Sequence, residues 1–192
     1  MLQKAIETKP FEKTNTNTIL IVDPAAEIQN ITLSTAARLG SLKGARIGIV
    51  DNAKHMALPL LKELEVILKT EYGASTFNYY RKDNASIPMP PESMAAMAAS
   101  SDAVVHGVAD CGSCITWGLH DSIEFEKLGK PAVNVITSGF TVAAKARART
   151  LSMQDHPVVA VQHPLANKTD AEVKAMAREI AKQVVDGLVA SH

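Results

Sequence analysis

The 192-residue chain is short of several things, and each shortage narrows what it can be. It has no net charge, with 20 Lys plus Arg against 20 Asp plus Glu. Without a basic run it has no field to hold a phosphate backbone, so nucleic acid is not an expected partner. No apolar stretch approaches the roughly 18 residues of a membrane span, so no membrane association is expected either. Met1–Lys13 is mixed and polar rather than an apolar export signal, which makes the cytoplasm the expected location. The chain lacks G-x-G-x-x-G, a P-loop and a G-x-S-x-G elbow, so neither a tightly bound dinucleotide nor any other cofactor is expected. It has only 2 cysteines, three residues apart. A loop that small removes little unfolded-state entropy, so the pair is a poor staple. In a reducing compartment C-x-x-C reads first as redox-active or metal-binding.

What is present is an alternation of short β-rich runs and helical stretches from residue 45 onward. Strands are predicted at 45–50, 75–80, 103–108, 131–136 and 157–161. Helices are predicted at 56–72, 92–100, 115–128, 140–151 and 170–190, the last capped by Thr169 or Asp170. The strands are continuously apolar, which implies a parallel sheet covered on both faces. The expected fold is therefore a three-layer α/β/α sandwich, flavodoxin- or Rossmann-like, with about five mainly parallel strands and the strand order open. Residues 1–44 fit less well. Ile19–Val22 reads as an edge strand or as the arm of a homodimer or higher homo-oligomer, preceding one globular domain at 45–192.

In an open parallel sheet, ligands bind beyond the carboxyl ends of the strands. The segments just past the strands carry Asn52 and Lys54, then Arg81 and Lys82, then Asp110-Cys111-Gly112-Ser113-Cys114, then Thr137 and Ser138, then His163. Topology would bring them to one edge. Cys111 falls at a loop-to-helix junction and Cys114 one turn in, where the helix N-terminus lowers a thiol pKa. One thiolate can attack there and the second resolve the mixed disulfide; the competing reading is two small buried apolar residues. Cys114, Trp117 and Asp121 share a helix face. Asp121 could orient a base or hold a substrate cation, against the alternative that His120 and Asp121 simply face solvent. His163 is a candidate for proton transfer, and Lys82 for holding a carboxylate or phosphate. A metal centre is not expected. Two cysteines would need His55, His106, His120 or His163 to complete a zinc set, and no second close ligand pair appears.

Gly107-Val108-Ala109-Asp110-Cys111-Gly112-Ser113-Cys114, followed by Trp117 and His120-Asp121-Ser122-Ile123-Glu124-Phe125-Glu126-Lys127-Leu128-Gly129-Lys130-Pro131, resembles the UGSC family. That family is named for a selenocysteine-Gly-Ser-Cys motif. Ile47-Gly48-Ile49-Val50-Asp51-Asn52-Ala53-Lys54 and Gln162-His163-Pro164-Leu165-Ala166 look similar too, so the likeness spans about 42–170. More distantly, the motif is similar to the selenoprotein B component of glycine reductase, which cleaves a carbon–heteroatom bond with a selenolate. The resemblance implies a cysteine form with Cys111 in the selenocysteine position, hence a nucleophile or redox centre, and Cys114 as its resolving thiol.

The expected function is a thiol-dependent enzyme acting on a small polar substrate through Cys111 and Cys114. Asp110, His120, Asp121 or His163 would handle protons. Asn52, Lys54, Lys82, Ser113, Trp117, Thr137 and Ser138 would hold substrate. The alternatives are a thiol-assisted lyase or hydrolase without net redox change, a metal- or ligand-binding module using the cysteines and a histidine, and an inactive subunit of a larger complex.

Overall fold

A computed structural model describes residues 32–190 of the chain; the run at Ile19–Val22 lies outside them. Five strands and five helices alternate: β1 (Arg46–Asp51), α1 (Ala57–Thr70), β2 (Thr76–Arg81), α2 (Pro91–Ser100), β3 (Ala103–Ala109), α3 (Gly112–Lys127), β4 (Ala132–Thr137), α4 (Thr141–Thr150), β5 (Val158–Val161) and α5 (Asp170–Leu188). All strand pairs are parallel, in the order β2-β1-β3-β4-β5. The expected architecture is the one observed, and the order left open by sequence is now fixed.

The burial of each strand follows its place in the sheet. β3 and β4, in the interior, are buried at every residue, as a strand covered on both faces must be. The outer strands β2 and β5 are only partly buried. On one face α1 and α5 cover the sheet. Leu60, Leu61, Leu64, Ile67 and Leu68 recur at helical spacing and are all buried. Each such side chain contributes about 1.5–3 kcal/mol on burial. On the other face, α2 packs with Val50, Val104 and Phe125, while α3 and α4 share a smaller cluster of Cys114, Ile115, Leu119, Ile136 and Ala144.

The element boundaries agree with the sequence reading to within two residues, except at one helix start. Helix α3 begins at Gly112, not Ile115, because Gly-Ser-Cys adopts helical geometry as the first turn. The segment before β1 is tied to the domain by backbone bonds. Leu39 bridges Val189 in parallel, and Leu33 N–H donates to Ser152 O. The segment is fastened by charge as well. Glu126, on the last turn of α3, is buried and pairs with Arg38. Its carboxylate also accepts from the amides of Ala36 (2.6 Å) and Ala132 (2.8 Å). At the helix α5 N-terminus Thr169 and Glu172 form a reciprocal capping box.

His156 lies beside this carboxylate, its Nδ1 3.7 Å from Glu126 Oε1, and is fully buried as a side chain. Burial first, then the charges of Arg38 and His106, push its pKa down to about 3. The unfolded chain binds a proton at that histidine below about pH 6.5 while the folded chain does not, so the fold loses stability as pH drops through that window.

Two outcomes follow for stability. Glu126→Ala, which strands Arg38 and two amides, should lower the urea-unfolding free energy by about 3–5 kcal/mol. Unfolding at pH 7 and pH 5 should show a loss on acidification, of which His156→Gln removes about 2 kcal/mol; an unchanged pH slope in that variant would mean His156 is protonated in the native state.

Candidate functional site

The strand order reverses direction between β1 and β3, and the loops leaving these two strands form the crevice where doubly wound sheets bind ligands. Asn52 leaves β1 there, with its amide donating to Gly107 O (2.8 Å). β3 leads through Asp110 into Cys111, which is the N-cap of α3 with extended backbone (φ −153°, ψ 166°). No side chain caps this helix and no acidic residue stands in its first turn. The first intrahelical bond runs from Ile115 N to Cys111 O (3.0 Å). The amides of Gly112, Ser113 and Cys114 therefore point their positive ends at the crevice.

Cys111 is half-buried and Cys114 is fully buried. Their sulfurs are joined as a disulfide, with Cα atoms 5.3 Å apart. The Ser113 hydroxyl lies 3.5 Å from Cys111 Sγ and 2.8 Å from Ser86 Oγ. Asp110 presents a carboxylate oxygen within 4.8 Å of both sulfurs. Lys54 Nζ, from the β1 loop, stands 3.8 Å from that carboxylate. Asp110, Cys111, Ser113, Cys114 and Lys54 are thus brought together. Among the described residues no histidine joins the cysteines in a potential ligand cluster; Asp110 takes that place.

A second group lies behind the first turn of α3. Asp121 is fully buried, not solvent-facing, and takes the Lys82 ammonium at 2.5 Å and the Met89 amide at 3.0 Å. Lys82 is itself buried, so its charge is spent on Asp121 rather than turned outward. His106 Nε2 is 3.6 Å from Asp121, and His120 Nδ1 is 3.3 Å from it. Burial pushes the Asp121 carboxyl up, but His106 and the Lys82 ammonium outweigh it and hold it below the ordinary carboxylate range. Burial pushes the His106 imidazole below the ordinary histidine value. Helix α3 can lie this close to His106 because residue 118 is glycine. A Cβ there would meet Asn134 Nδ2 at 3.1 Å and His106 Cε1 at 3.1 Å. Trp117 contacts His120 edge to face, with ring centroids 5.5 Å apart.

A third group forms where β4 and β5 end. Thr137 Oγ1 is 3.0 Å from His163 Nδ1, and the His163 amide donates to Ser138 Oγ (3.2 Å). Asn52 is buried, and neither polar atom of its side chain has a hydrogen-bond partner among the described residues. Ser86 and the Met89 amide were not singled out by sequence, and His106 was weighed there only as a zinc ligand. The one available signal was a histidine inside an otherwise apolar strand.

A parallel sheet in the order 2-1-3-4-5, covered by helices on both faces, defines the flavodoxin-like class of doubly wound α/β proteins. This one carries a bonded cysteine pair at the strand switch point. The chain belongs to the UGSC family, whose profile matches residues 20–190. A comparison with curated proteins returns no match. Solved structures similar in shape include the flavodoxin-like domain of a Synechococcus sp. protein, with 13% identity and a TM-score of 0.43 over 73% of this chain and 96% of that one. The FMN-dependent cysteine decarboxylase SpaF matches with 11% identity and a TM-score of 0.42 over 73% and 98%. The lysine decarboxylase LdcF of Francisella novicida matches with 15% identity and a TM-score of 0.42, over 77% of this chain and 18% of that one. At such scores these likenesses add nothing to a fold assignment that rests on the strand order. The local likeness to selenoprotein B of glycine reductase gains no support from the comparisons. No described helix is long and apolar enough to cross a membrane.

The buried ion pair yields a stability test. Asp121→Asn leaves the Lys82 ammonium buried without a counter-charge and should destabilise by about 3–5 kcal/mol, whereas Lys82→Met combined with Asp121→Leu should recover most of that loss. Chemical denaturation of the parent and the two variants measures both. A single variant as stable as the parent would show that Lys82 reaches water.

Proposed function

We propose that this chain is a thiol-dependent enzyme acting on a small polar substrate, with Cys111 as the attacking thiolate and Cys114 as the resolving thiol. One observation carries the reading: a half-buried cysteine stands at the N-cap position of a helix that no side chain caps, at the switch point, with its sulfur bonded to a second cysteine in the first turn. A helix N-terminus favours the thiolate over the thiol. The membership in a family named for a selenocysteine at this position supports the same role for Cys111.

In the reduced pair, the Cys111 thiolate attacks a sulfur of a small disulfide, forming a mixed disulfide and releasing one thiolate. Cys114 then attacks Cys111 Sγ, releases the second thiolate and leaves the Cys111–Cys114 disulfide, so two electrons have passed to the substrate. A small thiol or dithiol reductant resets the pair. Asp110, the carboxylate nearest both sulfurs, receives the proton that the attacking thiol gives up. Lys54, Trp117, Ser138 and the Ser113 hydroxyl offer polar and aromatic contacts to substrate. Lys82 and Asp121 hold each other and the Met89 loop, which keeps α3 and its thiol in place. On an electrophilic carbon the same residues would serve a thiol-assisted lyase or hydrolase.

A second reading, a metal-binding module, is favoured by the convergence of Asp110, Cys111 and Cys114 within 4.8 Å. It requires the disulfide to be open, since the thiolate is the ligand, and water to complete a three-ligand set.

Alkylation of reduced protein, followed by peptide mass spectrometry against pH, distinguishes them. Cys111 should react faster than Cys114, with a midpoint well below the free-thiol value of about 8.5. Cys114→Ser should trap the mixed adduct on Cys111, and Cys111→Ser should form none. If both thiols react slowly with midpoints at or above about 8.5, the thiolate mechanism fails; stoichiometric zinc taken up by the reduced protein would then bring the metal reading forward.

A further inference from the structure

His163 is exposed as a residue, yet its ring is fixed on several sides. Thr137 Oγ1 meets Nδ1 at 3.0 Å, and Ser138 Oγ accepts from the backbone amide at 3.2 Å. Gly139 lies flat against the imidazole. A Cβ at that position would stand 3.3 Å from His163 Cγ and 3.5 Å from Cδ2, so a side chain there would press on the ring. Phe140 closes the remaining flank edge to face, with centroids 5.7 Å apart. Thr137, Gly139 and Phe140 thus hold the ring of one surface side chain while Ser138 holds its backbone, whereas an exposed histidine usually keeps its rotamer freedom. Groups held in this way by their neighbours are the ones able to act at a fixed point. The ring stands at the same end of the sheet as the cysteines. Phe140 packs in the same apolar cluster as Cys111 and Cys114, and Ile136, the residue before Thr137, pairs with Ala109, the residue before Asp110.

The contact between Thr137 and His163 also selects where the ring carries its proton. Thr137 is fully buried. Its hydroxyl has no other hydrogen-bond partner among the described residues. If Nδ1–H donated to Thr137, the hydroxyl proton would be buried with no acceptor, an arrangement native proteins avoid. If the hydroxyl donates instead, both atoms are satisfied. Nδ1 then carries the lone pair and Nε2 the proton. Nε2 has no hydrogen-bond partner among the described residues.

We propose that Thr137 is a positioning residue that fixes neutral His163 as its Nε2–H tautomer, so that His163 serves the site as a hydrogen-bond donor and not as its general base. A neutral imidazole held as a donor polarises a substrate oxygen, or stabilises a thiolate, without taking up a proton. The role assigned to the donor rests on the thiol reading above, but the tautomer does not. Thr137, expected from sequence to touch substrate, acts here through His163.

The test is nitrogen–proton correlation NMR on full-length protein labelled with ¹⁵N-histidine, recorded at a pH where the rings are neutral. His163→Asn assigns the signal among the 6 histidines. The expected result is a single Nε2–H tautomer in the parent, a shift to a mixture in Thr137→Val, and return to the single form in Thr137→Ser. Matching unfolding curves for the three proteins show that the change is not a folding defect. An Nδ1–H signal in the parent, or a tautomer pattern that Thr137→Val leaves unchanged, overturns the proposal. Because the signal is read in the resting protein, it can fail while Cys111 alkylates fast, or hold while Cys111 is inert.

Discussion

Helix α3 is docked onto the sheet by two buried carboxylates, and everything at the candidate site follows from where they hold it. Asp121, midway along the helix, is tied to Lys82 at the end of β2 and to the Met89 amide in the loop beyond. Glu126, one turn further, is tied to Arg38 and to the amides of Ala36 and Ala132. A buried carboxylate is far costlier to leave unpaired than to keep, so each of these ties is strongly directional. Apolar area alone would allow the helix to slide; these pairs do not.

The fixed helix gives the cysteine pair its electrostatic setting. The N-terminal amides of α3 face the crevice between the β1 and β3 loops, and Cys111 stands at their focus. The surroundings are mixed in sign. Asp110 brings a negative charge near both sulfurs, and Lys54 offsets it from 3.8 Å. The other ionic groups are occupied with each other, Lys82 with Asp121 and Arg81 with Asp51 at 3.2 Å. The helix end and Lys54 are therefore the main local sources of positive potential for a thiolate. On the far side His163 is held rigidly without being buried, which suits a group that must meet a substrate in one orientation.

Glycine is used here for closeness. At position 118 it lets α3 rest on His106 and Asn134, and at 139 it lets the chain lie along the His163 ring. A methyl group at either place would press on a polar side chain, Asn134 and His106 at the first and His163 at the second.

Much of this was legible in the residues. Continuous apolar strands separated by helices pointed to a parallel sheet, because such strands must be buried on both faces, and five of them make an open, doubly wound sheet. The spacing of Cys111 and Cys114 after β3 located the pair at a helix start, and the segments past each strand named most of the polar residues at the edge. What could not be read was which of those residues would turn inward. Lys82 and Asp121 are 39 positions apart, and nothing local in either marks it as half of a buried ion pair. The attachment of residues 33–39 to Glu126, α5 and Ser152 was equally hidden, since an irregular segment has no period. The sequence by itself determined the elements, the layer architecture and the cysteine site, all set by spacing over a few residues. Only the tertiary structure decided the strand order, the pairing of buried charges and the grip of Thr137 on His163, because those depend on which distant segments meet.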